Sequence, residues 1–318
     1  MKKESNVYYK DLGKELIDCP VCDSSNYSIL LNVDRYNMGI ETVICNQCSL
    51  IYINPRPTES EMSEFYKHHY RKFYESIEVP TEEYIKNGPF LNRARFVLGS
   101  LKCFLNDAET FIDIGCAEGS LIKMVERDFE NISTFGIEPS VGFGNYAKEN
   151  VNGDIFIGAY QEFIKEQKEQ KFDVLATTHV LEHILNPKEY LKALQSLMHD
   201  NSVLYIEVPN IMDNRVSGVG NVHIGHIISY DSITIRILLE NSGFEIINIL
   251  TEGLPALTPA MAVICKRKIF VDTVNNNRKI DIQEKANLFI GKVKGKNETK
   301  KKNSLKVLFS KFRKKIFD

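Results

Sequence analysis

The sequence predicts an α/β protein with a doubly wound sheet, and three observations carry that prediction. Strand-like and helical stretches alternate from Leu91 onward. The first buried strand, Thr110-Phe-Ile-Asp-Ile114, runs into the glycine turn Gly115-Cys-Ala-Glu-Gly119, and then Leu121, Ile122, Val125 and Phe129 recur with helical spacing. A second strand, Thr134-Phe-Gly-Ile-Glu138, ends in an acid 19 residues beyond Gly119. A chain of 318 residues, 43% hydrophobic and 26% charged, holds one sizeable domain and a smaller attachment, and excludes collagen, wholesale disorder and a disulfide-stapled miniprotein.

The remaining elements follow in order. Ile155–Gly158 reads as a strand, followed by a helix with Phe163 inward, the strand Phe172–Thr177 and the helix Pro187–Met198, with Asn186 placed to cap it behind the first-turn proline. Strand Val203–Val208, helix Ile233–Asn241 and the closing pair Phe244–Thr251 and Ala260–Lys266 complete the pattern. Upstream, Thr58 and Glu61 form a capping-box pattern that starts a helix with Met62, Phe65, Tyr66 and Tyr70 as a core stripe. The aromatic stretch from Tyr74 to Asn92 reads as a linker or a flap. These observations divide the chain into an N-terminal segment (1–53), a helical linker (54–92), the α/β domain (93–268) and a basic tail (269–318).

The N-terminal segment carries Cys19-Pro-Val-Cys22 and Cys45-Asn-Gln-Cys48, with 22 residues between the pairs. Each C-x-x-C turns two sulfurs toward one point, and four thiolates suit tetrahedral zinc with a closed coordination sphere, so the expected ion is structural. Cys103, Cys116 and Cys265 have no such partners and are expected to be small buried side chains.

Charge is divided between body and tail. Residues 266–318 carry 17 Lys/Arg against 5 Asp/Glu, net +12, which leaves the body with 23 against 37, net −14. An acidic body argues against a nucleic-acid enzyme. Leu305, Leu308, Phe309, Phe312 and Ile316 form the apolar stripe of a basic amphipathic helix within 303–317, suited to peripheral contact with an anionic membrane. The first 18 residues lack a secretory apolar run, and no stretch approaches the roughly 18 apolar residues that span a bilayer, so a cytoplasmic protein is expected.

The glycine turn narrows the ligand. A dinucleotide fold uses G-x-G-x-x-G so that a pyrophosphate can approach the backbone. Here Ala117 replaces the middle glycine, and Glu118 would repel a pyrophosphate but not a ligand with a cationic sulfur, which favours S-adenosylmethionine over NAD. Asp113 is placed to receive the ligand's amino group, Glu138 its ribose hydroxyls, and Ala159 and Tyr160 its adenine.

Asp113-Ile-Gly-Cys-Ala-Glu-Gly119, Glu138 and Phe172-Asp-Val-Leu-Ala-Thr-Thr-His-Val-Leu-Glu-His183 resemble the cofactor motifs of class I S-adenosylmethionine-dependent methyltransferases. Residues 19–266 are similar to bacterial methyltransferases with a zinc-binding N-terminal segment, a group that includes sugar C-methyltransferases; the shared features include C-P-x-C, C-x-x-C-S-L and N-P-R-P-T. The resemblance implies a seven-stranded Rossmann-like methyltransferase sheet whose last strand is antiparallel, which the closing pair Phe244–Thr251 and Ala260–Lys266 fits, and a cofactor surface that also takes in Gly115, Cys116, Ala117, Gly119, Pro139, Thr178 and His179. It further implies a sugar, nucleotide-sugar or glycan acceptor. The long sugar C-methyltransferases have Glu before the late histidine, where this chain has Gly225.

An acceptor proton must leave during methyl transfer to a hydroxyl or carbon acid, and the candidate groups are His226, His183 and Glu182. His226 ranks first because the glycine-rich stretch Gly218–Gly225 reads as a pliable loop where acceptors enter, and because an imidazole near pKa 6.5 is half available at neutral pH. Two other readings are a small-molecule O-methyltransferase and a non-catalytic module that recruits nucleic acid or membrane. A pure adaptor has no physical need of Asp113, Gly115, Gly119 and Glu138 together.

Overall fold

The computed structural model describes residues 12–68, 77–167, 169–216, 218–254, 259–268 and 281–294. Its central sheet has seven strands. In chain order these are β6 (Thr110–Ile114), β7 (Ser133–Glu138), β8 (Asp154–Ile157), β9 (Phe172–Thr178), β10 (Met198–Pro209), β12 (Phe244–Leu250) and β13 (Ala260–Arg267). They lie side by side as β12-β13-β10-β9-β6-β7-β8. Contacts among β6 to β10 are parallel, and β13 alone runs against both of its neighbours. This is the expected doubly wound architecture with a reversed last strand.

The sequence makes this sheet because its central strands are apolar on both faces, as strands covered by helices on each side must be. Phe111, Ile112, Val174, Leu175, Leu204 and Ile206 are fully or almost fully buried. The covering helices include α3 (Phe90–Leu105), which buries Ala94, Val97, Leu98, Leu101 and Leu105 at helical spacing. Cys103 falls on the opposite face of α3 and is exposed, contrary to the expected burial. Cys116 and Cys265 are buried as expected.

The cysteine segment forms a second sheet from β2 (Tyr27–Leu31), β3 (Thr42–Cys45) and β4 (Ile51–Ile53), closed at its edge by β11 (Ile228–Ser229) from beyond β10. Val21, Val43, Leu50 and Tyr52 share one apolar core with Ile206, Ile224, Ile228 and Tyr230. A two-stranded ribbon, β1 (Lys14–Glu15) with β5 (Arg56–Pro57), leads into α1 (Glu59–His68).

Two expected caps are replaced by longer-range contacts. Thr58 does precede α1, but Glu61 Oε1 accepts the Gly13 amide (3.2 Å), while the Thr58 amide donates to the Gly13 carbonyl (3.0 Å). Asn186 precedes α7 (Pro187–Ser196) without a side-chain cap, because its Oδ1 accepts from Arg56 Nη2 (3.3 Å). Arg56 is 8% exposed and also pairs with Glu15 and the Leu185 carbonyl; a buried guanidinium commands nearby acceptors more strongly than a helix amide does. Met62 and Phe65 are buried in α1 as expected, whereas Tyr70 and the Tyr66 side chain lie outside the described residues. Met198, expected to end a helix, instead opens β10.

The stretch that reads as a basic tail contains a packed helix, α9 (Ile282–Lys294), which buries Ala286, Phe289, Ile290 and Val293 beside Leu30, Leu31 and Ile44 of the cysteine sheet. The expected amphipathic helix at 303–317 lies outside the described residues. Among the described residues no helix is long and apolar enough to cross a membrane.

Lys285 of α9 pairs with Asp231 (2.5 Å), the N-cap of α8 (Ser232–Asn241), and donates to Ser49 Oγ (3.0 Å). Both charges are almost wholly buried, at 8% and 6% side-chain exposure. Removing one partner leaves a buried charge uncompensated. Lys285→Ala should therefore lose about 3 kcal/mol in a denaturant titration, and a loss below about 1 kcal/mol would show that α9 is not clamped by this pair.

Candidate active site

The glycine turn between β6 and α4 (Ser120–Asp128) places Gly115 and Gly119 at φ +84° and Ala117 at φ +48°. A side chain at Gly115 would be strained by that φ and would meet Val180 Cγ2 at 2.5 Å. The bare glycines thus serve the turn and its internal packing as much as any close approach of a ligand. Cys116 is buried with its sulfur packed against Gly136, and burial pushes its thiol well above the ordinary range.

Glu138 ends β7, and its carboxylate accepts the Ala117 amide (3.0 Å) and the Ser140 amide (2.9 Å). It ties the glycine turn to the start of α5 (Val141–Asn150). Pro139 next to it is exposed. Ala159 caps α6 (Tyr160–Glu166), where its amide donates to Glu162 (3.0 Å), and the Tyr160 ring packs edge-on against Tyr190 (4.8 Å between centroids).

Asp113 sits at the end of β6, 3% exposed, and its Oδ1 has no hydrogen-bond partner. Burial first, then the charges of Glu118 and Glu138, raises its pKa from 3.8 to about 8. Three buried carboxyl groups gathered here, with Asp113 Oδ1 lacking a hydrogen-bond partner, suit a positively charged ligand, and S-adenosylmethionine, with a sulfonium and an ammonium, is such a ligand. The described part of the predicted flap lies over this end of the sheet. A side chain at Gly142 would fall 2.2 Å from the Glu78 carbonyl, and Tyr84 of α2 (Glu82–Asn87) meets Phe143 edge-on at 6.3 Å.

A second group of buried charges collects beyond the ends of β9 and β10. Thr178 ends β9 opposite Glu207 of β10, and His179 follows at φ +54° with its amide on the Glu207 carbonyl (2.8 Å). Glu207 accepts from His179 Nε2 (3.1 Å) and the Tyr205 hydroxyl (2.9 Å), and Arg93 Nε lies 3.2 Å away. His179 Nδ1 is 3.3 Å from Glu182 Oε1, and His183 Nε2 is 3.7 Å from the same oxygen. His183 Nδ1 donates to the Gly225 carbonyl. The His226 ring stands 5.1 Å from His183 and 4.0 Å from His223, centroid to centroid.

These contacts set the charges. Burial and the Arg93 charge push His179 down, but contact with Glu182 and Glu207 outweighs them and its pKa is raised. Burial raises Glu182 and Glu207, but the neighbouring histidines, and Arg93 at Glu207, hold both below the usual carboxylate range. Burial, followed by the charges of the other histidines and Arg35, holds His226 well below 6.5.

The structure brings His226, His183 and Glu182 together, and it corrects two properties of His226. The loop that carries it is packed, with Val222, His223, Ile224 and Ile227 buried, because Ile224 and Ile227 fill the core shared with the cysteine sheet and Val222 joins the apolar cluster of Leu30, Leu31 and Ile44. Its imidazole is also not near its ordinary pKa. The sequence reading missed Arg93, Tyr205 and Glu207. Glu207 had a visible signal: it is the one acid in Val203-Leu-Tyr-Ile-Glu-Val208, a strand covered on both faces.

The four cysteines converge too. Cys19 and Cys48 sulfurs are 3.5 Å apart, as are those of Cys22 and Cys45, and one ligand atom from each lies within 4.8 Å of the others. A tetrahedral zinc with Zn–S of about 2.3 Å spaces its sulfurs by roughly 3.8 Å, so the donor set fits that ion. Amides of Gln47 and Cys48 point at the Cys45 sulfur (3.4 and 3.5 Å), as in a metal-binding knuckle.

Comparison with known proteins decides the family. Residues 81–249, just over half of the chain, match the family model described as "Methyltransferase domain". The chain belongs to this methyltransferase family. Among curated relatives, (S)-tetrahydroprotoberberine N-methyltransferase of Eschscholzia californica is 23% identical over 109 residues, 32% of this chain and 30% of the relative. Putative methyltransferase 235L of Invertebrate iridescent virus 6 is 28% identical over 115 residues, 36% of this chain and 42% of the relative. The match thus spans less than half the length of these relatives. Among solved structures, the plantazolicin methyltransferase BamL in complex with a triazolic desmethylPZN analog and SAH superposes with a TM-score of 0.51 at 15% identity, covering 65% of this chain and 94% of that one. That likeness shows the methyltransferase α/β fold.

The acid cluster at the cofactor end leads to a prediction. Folded Asp113 holds its proton up to about pH 8, whereas an unfolded aspartate releases it near 3.8, so ligand-free stability falls as pH rises between those values. Asp113→Asn should flatten that decline and raise Tm at pH 8, by roughly 2–4 °C for each kcal/mol relieved, while weakening S-adenosylmethionine binding. Thermal unfolding at pH 5 and pH 8 tests it; equal pH slopes in the two proteins would contradict the assignment.

Proposed function

We propose that this methyltransferase transfers the methyl group of S-adenosylmethionine to a protic acceptor, with the cofactor held by Asp113, the Gly115–Gly119 turn and Glu138. The observation that carries the reading is the buried Asp113 Oδ1, without a hydrogen-bond partner, beside the acids Glu118 and Glu138 at the ends of β6 and β7. The acceptor nucleophile attacks the methyl carbon in line with the carbon–sulfur bond from roughly 3–3.5 Å, and the electron pair of that bond leaves on sulfur. Loss of the acceptor proton is placed at Glu182, His183 and His226, the titratable groups gathered beyond β9. His226 is held neutral, so it is a ready but weak proton acceptor.

For the acceptor we propose a hydroxyl of the sugar, nucleotide-sugar or glycan class. The support is the similarity of the cysteine pairs and the following N-P-R-P-T stretch to the bacterial sugar-modifying group. The curated relatives named above carry N-methyltransferase names, so an amine acceptor is the competing outcome. We further propose a structural zinc on Cys19, Cys22, Cys45 and Cys48, supported by their mutual distances.

Calorimetry with S-adenosylmethionine is the decisive experiment. The wild-type chain should bind one equivalent. In Glu138→Ala the cofactor loses two charge-assisted hydrogen bonds to its ribose, worth about 1.5–3 kcal/mol each, so affinity should drop at least tenfold. Unchanged affinity would remove Glu138 from the cofactor site, and no binding by the wild type would overturn the proposed activity. With binding in hand, methyl-labelled cofactor offered to nucleotide sugars and to secondary amines separates the two acceptor classes.

A further inference from the structure

Glu182 poses a problem that the general-base reading leaves open. It is 1% exposed, and neither of its carboxylate oxygens makes a hydrogen bond of ordinary geometry. His179 lies against Oε1 from one side, bridging to Glu207. On the other side stands His183, whose Nδ1–H is taken by the Gly225 carbonyl. His183 Nε2 faces Glu182 Oε1 at 3.7 Å. The buried Tyr230 hydroxyl is also without a hydrogen-bond partner, and burial first, then the Glu182 charge, pushes its pKa up.

We propose that Glu182, His183 and His226 form a binding site for a divalent first-row transition cation of the zinc class, on the acceptor side of the methyl-transfer centre. One ligand atom from each residue lies within 4.8 Å of the other two. Around an ion with bonds of about 2.0–2.2 Å the donors stand roughly 3–3.5 Å apart, a spacing that small side-chain rotations reach. The donor set points to the metal class: two imidazoles and one carboxylate favour zinc-like ions over calcium or magnesium, which prefer all-oxygen sites. Three protein ligands leave a position for water or substrate, the pattern of a catalytic rather than a closed structural site. The His183–Gly225 hydrogen bond is the outer contact that fixes a ligating imidazole in its tautomer.

This inference deepens the acceptor side of the proposed methyl transfer and rests on that reading for its chemistry, while metal binding itself can be measured without it. A hydroxyl on such a cation loses its proton to solvent near neutral pH, because the ion stabilises the oxyanion. The oxygen then forms its bond to the methyl carbon as the carbon–sulfur bond breaks, giving the methyl ether and S-adenosylhomocysteine. In this state the imidazoles act as ligands rather than as free bases.

The test uses the full chain, dialysed against Zn2+ in excess and then against metal-free buffer, with bound metal counted by elemental analysis. The wild type should hold one equivalent more than Glu182→Gln and one more than His226→Gln, whatever the four cysteines bind. Each variant is qualified by its unfolding transition and by S-adenosylhomocysteine calorimetry, and two variants are made so that the failure of one to fold leaves the comparison intact. Equal zinc content in wild type and folded variants would overturn the metal site. That outcome, with cofactor binding retained, would leave the proposed methyl transfer standing with free histidine bases.

Discussion

Five carboxylates buried at one edge of the central sheet, Asp113, Glu118, Glu138, Glu182 and Glu207, set the terms for the rest of this molecule. Burying a carboxylate costs several kcal/mol unless it is neutralised, paired or hydrogen-bonded. The fold answers each demand differently. Glu138 receives backbone amides, Glu207 receives His179, Tyr205 and Arg93, and Asp113 holds its proton. Asp113 Oδ1 beside the glycine turn and both oxygens of Glu182 remain without a hydrogen bond. Those are the places where the proposed cofactor and the proposed metal would each add positive charge to buried acids.

The cysteine segment takes part in this arrangement rather than hanging beside it. Its sheet is finished by β11, only two residues beyond His226, and the Ile53 amide donates to the Ile227 carbonyl (2.9 Å). Tyr230 lies near enough to both Glu182 and Cys19 for each to raise its pKa. Anything that fixes the four sulfurs therefore also fixes the loop that carries His223 and His226. The Lys285–Asp231 pair ties α9 to the same region from outside. A structural metal here would act on catalysis through rigidity, by holding one acceptor-side histidine at its distance from another.

Glu138 illustrates how one side chain serves fold and function together. Its two oxygens hold the turn at Ala117 and the chain at Ser140. A ribose diol at the same carboxylate would add hydrogen bonds to a group already oriented by the backbone. Preorganisation of this kind keeps the cost of ordering out of the binding step.

The succession of strands and helices, the glycine turn and the cysteine pairs were legible in the sequence because each depends on local spacing: hydrophobic period, turn stereochemistry and the reach of a C-x-x-C knuckle, whereas the reversed last strand was legible only through the family resemblance. The acids at strand ends were legible for the same reason, since a strand delivers its last side chain to the sheet edge. What the sequence did not determine were quantities set by neighbours distant along the chain. Glu61 and Asn186 serve Gly13 and Arg56 instead of their own helices, and α9 is packed because Lys285 finds Asp231 and Ser49. His226 sits in a glycine-rich stretch that reads as pliable, yet tertiary packing buries it, lowers its pKa and sets it beside His183. Charge state in a protein interior is a sum over all surrounding groups, and only the folded chain specifies which groups those are.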